Sequence, residues 1–188
     1  MERRVWHGGR VLGFLDESVQ TCLTAKEIDG AWTQRASVTR GLSLEDVHIP
    51  VVYMLTKCAG LKSPLRCLTQ ARYGIAWGAM GAAQACYEEA LDYSINRVMF
   101  GRPIGGFQLQ QQRLAEMLTE LVKGQLLALH LGRLKDAGTF TPQQVSLAKR
   151  NNVSAATDIA REARRLLGAN GILAEYSSMR HMANLESV

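Results

Sequence analysis

Arg97-Val98-Met99-Phe100-Gly101-Arg102-Pro103-Ile104 is the stretch that decides the fold, because it separates two long segments of helical periodicity. Arg97 is predicted to close the first helix, where its charge complements the carbonyl end. Gly101 and Pro103 predict a turn, and Gln108 is predicted to open the second helix. An arginine and an amide then project from one corner between two helices, which suits a phosphate-bearing ligand. Taken alone, Arg97 is better explained by the helix dipole.

The sequence after residue 62 is predicted to be helical almost throughout. The predicted helices span residues 65–96, 107–136, 142–167 and 177–186. Gly138 is predicted to end the second helix, Thr141-Pro142 to cap and begin the third, and Gly168 to cap its C-terminus. Because long helices joined by short loops pack as antiparallel neighbours, the fold class is predicted to be mainly α, with a four-helix bundle.

Apolar residues at helical spacing predict the buried face of each helix. The predicted stripes are Leu68, Ala71, Ile75, Ala79, Ala82 and Cys86 in the first helix, Leu114, Met117, Leu118, Leu121, Ala128 and Leu131 in the second, and Val145, Ala148, Asn152, Ala155, Ile159 and Leu166 in the third. Glycine costs about 1 kcal/mol inside a helix. Gly74, Gly78 and Gly81 therefore predict the close approach of a neighbouring helix.

The first 62 residues show the periodicity of short strands instead. Apolar or mixed runs occur at 11–15, 23–28, 31–38, 42–44 and 47–49, with Asp29-Gly30 as a turn signal. The predicted organisation is a partial antiparallel β-domain over residues 1–62, followed by the helical bundle over residues 63–188. Two or three short strands are not stable alone, so the β-part is expected to belong to a larger sheet.

Composition excludes several classes of protein. No apolar run approaches the roughly 18 residues of a membrane span. The net charge of +5 is spread along the chain, without the basic stripe of a nucleic-acid-binding surface. Cys22, Cys58, Cys67 and Cys86 lack the spacing of a metal site, and Cys67 and Cys86 are predicted to be buried thiols. His130 lies in an apolar stretch and is predicted to pack in the core.

Several motifs, in one order along the chain, resemble the acyl-CoA dehydrogenase family, most closely its glutaryl-CoA-oxidising branch. They are Cys67 to Gly78, the Arg97-x-x-Phe100-Gly101 corner, Leu131 to Asp136, Lys149 to Asn152, Asp158 to Arg161, and Leu167 to Ile172. Residues 35–37 and 47–50 resemble the end of the middle β-domain of that family. One such motif would be weak evidence, whereas their common order makes the resemblance specific.

The resemblance implies an FAD enzyme that oxidises the Cα–Cβ bond of an acyl-CoA and passes electrons to an electron-transfer flavoprotein. The glutaryl-CoA branch also decarboxylates, giving crotonyl-CoA. The implied FAD contacts, made to a neighbouring subunit of a tetramer, are Arg97, Phe100, Gln108, Arg165, Leu166, Leu167, Gly168 and Ala169. The implied acyl-CoA contacts are Leu65, Arg66, Cys67, Leu68, Thr69, Gln70, Ala71 and Arg72. The implied compartment is the mitochondrial matrix for a eukaryotic source and the cytoplasm otherwise.

This chain departs from the family pattern at three places. Leu65-Arg66 replaces the usual Phe-Gly, which would alter the acyl-CoA pocket. Ala169 replaces a frequent glycine, which would alter a backbone contact if that glycine has a positive φ. The catalytic base of the family is a Glu in a Tyr-Glu-Gly-Thr motif that would follow Val188, and Glu186 does not match it. We therefore expect no catalytic residue within these 188 residues and no activity from them alone. The alternative is a non-catalytic helical module that oligomerises.

Overall fold

The computed structural model describes residues 23–47, 50, 52, 57 and 60–188. Two compact units make up the chain, Met1–Leu68 and Thr69–Val188. In chain order the elements are strands β1 (Leu23–Glu27) and β2 (Arg40–Leu44), helix α1 (Lys62–Asn96), strands β3 (Val98–Met99) and β4 (Arg102–Pro103), and helices α2 (Gln108–Asp136), α3 (Pro142–Leu166) and α4 (Ser178–Leu185). The mainly helical fold class is confirmed. No described helix combines the length and apolar character needed to span a bilayer.

The first unit contains one antiparallel pair of strands. β1 pairs with β2 in a register that sets Leu23 opposite Leu44 and Glu27 opposite Arg40. The predicted strand at 31–38 is wrong, because that segment forms the turns that return the chain. Gln34 has a φ of 49°, and its carbonyl accepts a 2.7 Å hydrogen bond from the Ser37 N–H. The predicted strand at 11–15, and His48 and Ile49 of the one at 47–49, lie outside the described residues.

Local signals in the sequence set the helix boundaries in the second unit. α2 ends before Gly138, which has a φ of 69°. Thr141 then caps α3: its hydroxyl accepts from the Gln144 N–H, and the Gln144 side chain accepts from the Thr141 N–H. This reciprocal pair satisfies two of the amides that a helix start leaves unbonded. The N-cap was predicted, but the reciprocal bond from Gln144 was not.

Helices α1, α2 and α3 run antiparallel to their neighbours, as predicted. Gln125 Nε2 on α2 donates to Gln84 Oε1 on α1 at 3.1 Å. Farther along α2, Gly132 faces the Tyr73 hydroxyl, nearer the start of α1. Between α2 and α3, Arg113 Nε lies 3.8 Å from the Glu162 carboxylate. Residue numbers therefore rise along one helix as they fall along its neighbour.

The buried face of α1 differs from the predicted stripe. Ala76, Ala83 and Ala90, spaced at seven residues, are fully buried. Leu68 is 48% exposed and Ala71 is also exposed, so the stripe is wrong in the first turns of the helix. The small alanines let α1 lie close to its neighbours, and the larger Met80 and Cys86 fill the remaining space.

The site of closest helix approach is also elsewhere than predicted. No atom of the described residues lies within 4 Å of where a Cβ would stand on Gly74, Gly78 or Gly81. The tight position is Gly124 on α2, where a Cβ would overlap the Met80 sulfur. Within this chain no helix approaches those three glycines, because they lie on the exposed side of α1.

Three further predictions of burial are wrong. Leu118 is 42% exposed, because it lies beside the buried row of α2 that contains Leu114, Met117 and Leu121. His130 is exposed on the same helix. Cys67 is exposed, whereas Cys86 is buried as predicted, and burial raises the pKa of the Cys86 thiol to about 11. Periodicity gives the spacing of a buried row, but not its limits at the edge of a bundle.

A buried amide joins the three long helices. Asn152 on α3 is fully buried, and its Nδ2 donates to the carbonyls of Ala76 on α1 and Gly124 on α2, each at 3.0 Å. The Asn151 amide donates to Asn152 Oδ1 at 3.1 Å. Every polar atom of the Asn152 side chain therefore has a partner, as a buried amide requires.

Candidate functional site

The corner between α1 and α2 is a two-residue hairpin that the sequence predicted only as a turn. β3 pairs with β4, Val98 opposite Pro103 and Met99 opposite Arg102. The two turn residues both have positive φ, 52° at Phe100 and 78° at Gly101. Glycine adopts this conformation freely, whereas for phenylalanine it is strained. The strained Phe100 side chain is 91% exposed, so the hairpin presents an aromatic ring to solvent.

Two polar side chains stand at the base of this hairpin. Arg97 is exposed, and its guanidinium makes no ion pair within the described part of the chain. Its backbone is fixed, because its N–H donates to the Tyr93 carbonyl and its carbonyl accepts from the Ile104 N–H, each at 2.8 Å. Gln108 is exposed at the first position of α2. Arg97 therefore presents an unpaired positive charge from a backbone that two hydrogen bonds hold in place.

Aromatic contacts support the other side of the hairpin. The Phe100 and Phe107 rings meet edge to face, 6.4 Å apart. The Arg102 guanidinium lies 4.0 Å from the centre of the Phe107 ring. No role for Arg102 or Phe107 was predicted from the sequence. The hairpin is thus braced by a cation–π contact and an aromatic pair, which are worth about 1 kcal/mol each at exposed sites.

The second predicted cofactor segment follows α3. Gly168 has a φ of 62° and is exposed, and Ala169 is exposed at an ordinary φ. The positive φ thus falls on Gly168, so alanine at 169 is compatible with the backbone of this turn. Leu166 and Leu167 are buried in the core, and Arg165 is exposed and pairs with Glu162. Of the five residues in this segment, Arg165, Gly168 and Ala169 are accessible to a ligand.

These two segments meet at one end of the helical unit. Asn170 Nδ2 donates to the Tyr93 hydroxyl at 2.9 Å, and the Tyr93 and Tyr176 rings pack edge to face at 5.9 Å. Desolvation and the Glu175 charge raise the pKa of Tyr176, and the charge of Arg97 partly offsets that rise. The last turn of α1, just before Arg97, is therefore in direct contact with the segment that follows Gly168, 77 residues farther along the chain.

The predicted acyl-CoA segment occupies the first turns of α1. Leu65, Arg66, Cys67, Leu68, Gln70 and Ala71 are exposed, Arg72 is half-buried, and Thr69 is buried. The Gln70 side chain accepts a hydrogen bond from Lys135, whose ammonium lies 4.3 Å from the centre of the Tyr73 ring. The segment therefore offers a mostly accessible helix surface, and its role in substrate binding stays a prediction.

A carboxylate that sequence reasoning missed fixes α4. Glu89 on α1 accepts the N–H groups of Ser177 at 2.7 Å and Ser178 at 2.9 Å, and the Ser178 hydroxyl. Burial opposes ionisation of Glu89, but these hydrogen bonds outweigh it and hold its pKa below the ordinary 4.5. A carboxylate at a helix start also complements the helix dipole. No local motif identifies this contact, because the partners lie 88 and 89 residues apart.

Replacing Glu89 by glutamine is expected to lower stability by about 1 kcal/mol at neutral pH, as loss of a helix cap does. Because the folded pKa of Glu89 is depressed, its contribution is present above pH 4.5 and lost as the pH falls through the folded pKa. Urea unfolding of both proteins from pH 7 to pH 3 should therefore show curves that converge in acid. A gap that stays constant over this range would contradict the ionised cap.

Comparison with known proteins identifies the family. A protein-family model described as "Acyl-CoA dehydrogenase, C-terminal domain" matches residues 59–187. The chain belongs to the acyl-CoA dehydrogenase family. The matched region includes the hairpin corner, the Gly168–Ile172 turn and all four helices over their full length.

Curated members of the acyl-CoA dehydrogenase family are similar to this chain over part of their length. Glutaryl-CoA dehydrogenase of Desulfococcus multivorans is 36% identical over 143 residues, covering 75% of this chain and 37% of that protein. The mitochondrial short-chain specific acyl-CoA dehydrogenase of Bos taurus is 33% identical over 179 residues, covering 95% of this chain and 43% of that protein. The chain thus spans less than half the length of these relatives.

Solved structures give a closer similarity. A glutaryl-CoA dehydrogenase from Mycobacterium smegmatis is 55% identical with a TM-score of 0.87, covering 89% of this chain and 43% of that one. A glutaryl-CoA dehydrogenase from the same organism, in complex with FADH2, is 49% identical with a TM-score of 0.86 and the same coverage of each chain. Among these relatives, the glutaryl-CoA dehydrogenases have the higher identities.

The surface at the end of the helical unit suits a flavin dinucleotide chemically. Arg97 supplies an unpaired cation with forked donors for a phosphate. Phe100 supplies an exposed aromatic face, and Gly168 offers backbone with no described atom within 4 Å of its Cβ position. Arg97 therefore complements the phosphates of such a cofactor, and Phe100 complements its aromatic rings.

Proposed function

We propose that the chain is the C-terminal helical part of an FAD-dependent acyl-CoA dehydrogenase, of the type that acts on glutaryl-CoA. The observation that carries the proposal is the Asn170–Tyr93 hydrogen bond, which joins the segment after Gly168 to the turn of α1 that precedes the unpaired Arg97. The identities of 55% and 49% to the Mycobacterium smegmatis glutaryl-CoA dehydrogenases, against 33% to the short-chain relative, support the choice of substrate. The proposed product is crotonyl-CoA, with an electron-transfer flavoprotein as electron acceptor.

In this proposal the chain binds and orients FAD and acyl-CoA, and none of its residues is the catalytic base. Arg97, Phe100 and Gln108 hold FAD from one side, and Arg165, Gly168 and Ala169 hold it from the other. Leu166 and Leu167 anchor the second segment in the core. Exposed residues at the start of α1, among them Arg66 and Gln70, line the acyl-CoA site. FAD held there would supply the two-electron oxidation of the Cα–Cβ bond, taking up the β-hydride while a base outside these residues removes the α-proton.

Replacing Arg97 by glutamine is expected to weaken FAD binding about tenfold or more, because a hydrogen bond to a charged group is worth roughly 1.5–3 kcal/mol. Flavin fluorescence quenching on titration with this chain measures the dissociation constant. Arg133→Gln is the matched control, since Arg133 is an exposed arginine at the far end of α2. Equal affinities for all three proteins, or no binding by the unmodified chain, would contradict the proposed cofactor site.

A second function, that of an oligomerisation module, is favoured by one surface. Leu118, Val122, Leu126 and Leu129 form an exposed apolar row along α2, each more than 40% accessible. Their spacing of three or four residues keeps them on one side of the helix. An apolar row of this kind marks a surface for association with another chain. This role is compatible with the enzyme proposal, because the family resemblance implies a tetramer.

Leu126→Lys is expected to shift the chain from oligomer to monomer, since it sets a charge in the centre of the apolar row. Sedimentation velocity over a range of concentrations measures the change. Glu120→Lys is the control, because it adds a cation to the opposite side of α2. An unmodified chain that is monomeric at every concentration would contradict the oligomerisation function.

A further inference from the structure

Tyr93 lies where the two proposed cofactor segments meet. It occupies the last turn of α1, and its carbonyl accepts the Arg97 N–H at 2.8 Å. The adjacent Ser94 is fully buried, and its hydroxyl donates to the Ala90 carbonyl at 2.6 Å. A Cβ on Gly105 would lie 3.1 Å from the Ser94 carbonyl oxygen, so the return of the hairpin packs against this turn. The backbone of Tyr93 is therefore part of the support of the corner.

The side chain of Tyr93 supports the other segment. Its hydroxyl accepts from Asn170, which lies 77 residues away, at 2.9 Å. The Asn170 carbonyl in turn accepts from the Leu173 N–H at 3.0 Å, and the Leu173 carbonyl accepts from the Tyr176 N–H at 3.1 Å. Tyr176 packs its ring edge to face on the Tyr93 ring, with an interplanar angle of 88°. Both ends of the segment from Asn170 to Tyr176 therefore contact the Tyr93 side chain.

We propose that Tyr93 is a positioning residue that couples the Arg97 corner to the Gly168-Ala169 turn, so that both present their groups to one FAD molecule. This inference rests on the proposed function for the ligand, but the coupling itself is a property of the chain. Tyr93 does not reach the cofactor in this proposal. It acts through its hydrogen bonds to Arg97 and to Asn170. These bonds hold the hairpin corner and the Gly168-Ala169 turn in a fixed position relative to each other, although the two are far apart in sequence.

Amide hydrogen exchange without FAD tests the coupling. We expect Tyr93→Phe and Asn170→Ala each to raise exchange in both segments, at residues 97–107 and at residues 168–173. The double variant should exchange no faster than the more affected single variant, because both changes remove the same bond. Tyr87→Phe is the control, since it removes a phenol hydroxyl from another face of α1. If Asn170→Ala affects residues 168–173 alone, the coupling is wrong.

Flavin titration tests the positioning role. Both single variants are expected to bind FAD three- to tenfold more weakly, the range that one hydrogen bond supports, and the double variant no more weakly than that. Ile159→Val, a change in the buried core of α3, should lower the thermal midpoint without changing FAD affinity. Unchanged FAD affinity in Tyr93→Phe would overturn the positioning role and leave the proposed function intact. Absence of FAD binding by the unmodified chain would overturn the proposed function, while the exchange experiment still decides the coupling.

Discussion

Gly171→Ala is expected to destabilise the helical unit by about 3 kcal/mol, at the upper end of the range for overpacked positions. Gly171 is buried in the turn after α3, and a Cβ there would overlap the carbonyl oxygen of Arg164. The Arg164 Cγ would lie only 3.1 Å away as well. Because the main obstacle is backbone in the last turn of α3, the clash cannot be relieved by a rotamer change. Urea unfolding followed by circular dichroism measures the loss.

Gly168→Ala is the matched control for that variant. A Cβ on Gly168 meets no described atom within 4 Å, so its only cost is the positive φ of 62°. That strain is worth about 1–2 kcal/mol. The expected order of stability is therefore unmodified chain, Gly168→Ala, then Gly171→Ala. A Gly171→Ala protein as stable as the unmodified chain would show that the turn does not pack on Arg164 as described.

Asn152→Asp is expected to cost about 3–5 kcal/mol at neutral pH, as an uncompensated buried charge does. The substitution preserves shape but replaces the donor that faces the Ala76 and Gly124 carbonyls with a carboxylate oxygen. Repulsion between these oxygens adds to the cost of burying the charge. At acidic pH the protonated carboxyl can again donate to one carbonyl. The deficit relative to the unmodified chain should therefore shrink as the pH falls.

Gln143→Glu provides the comparison, because Gln143 is an exposed amide on the same helix. It makes the same change from amide to carboxylate without touching the Asn152 bonds, and is expected to change stability by no more than about 0.5 kcal/mol. Chemical unfolding of both variants at pH 7 and pH 4 gives the two differences. Similar losses in both variants would mean that Asn152 does not join the three helices through its amide.

Helix limits and the corner could be predicted from sequence because their causes are local. Thr141-Pro142 begins α3, and glycines with positive φ follow α2 and α3 at Gly138 and Gly168. The strand prediction at 31–38 was wrong because apolar content alone favoured a strand. Pairing with β1 requires the chain to turn back in this segment, and β2 begins only at Arg40.

The supports of the candidate site could not be predicted, because their causes are distant in sequence. Spacing and resemblance led to the prediction that Arg97 and Gly168 contact the cofactor, and that role stays a prediction. The residues that hold the site in place, Tyr93 with Asn170 and Glu89 with Ser178, make bonds across 77 and 89 residues. Periodicity also placed Leu118 inside, although it lies at the edge of the buried row. Such contacts are set by how the helices pack, which no single segment encodes.

The most direct test of the account is segment-resolved hydrogen exchange of this chain with and without FAD. We expect FAD to slow exchange at residues 97–108 and 168–171 together. We expect no change in the groove between α2 and α3 that is lined by Glu116, Asn151 and Asp158. Protection of that groove instead, of only one of the two segments, or of neither, would contradict a single cofactor surface built from both.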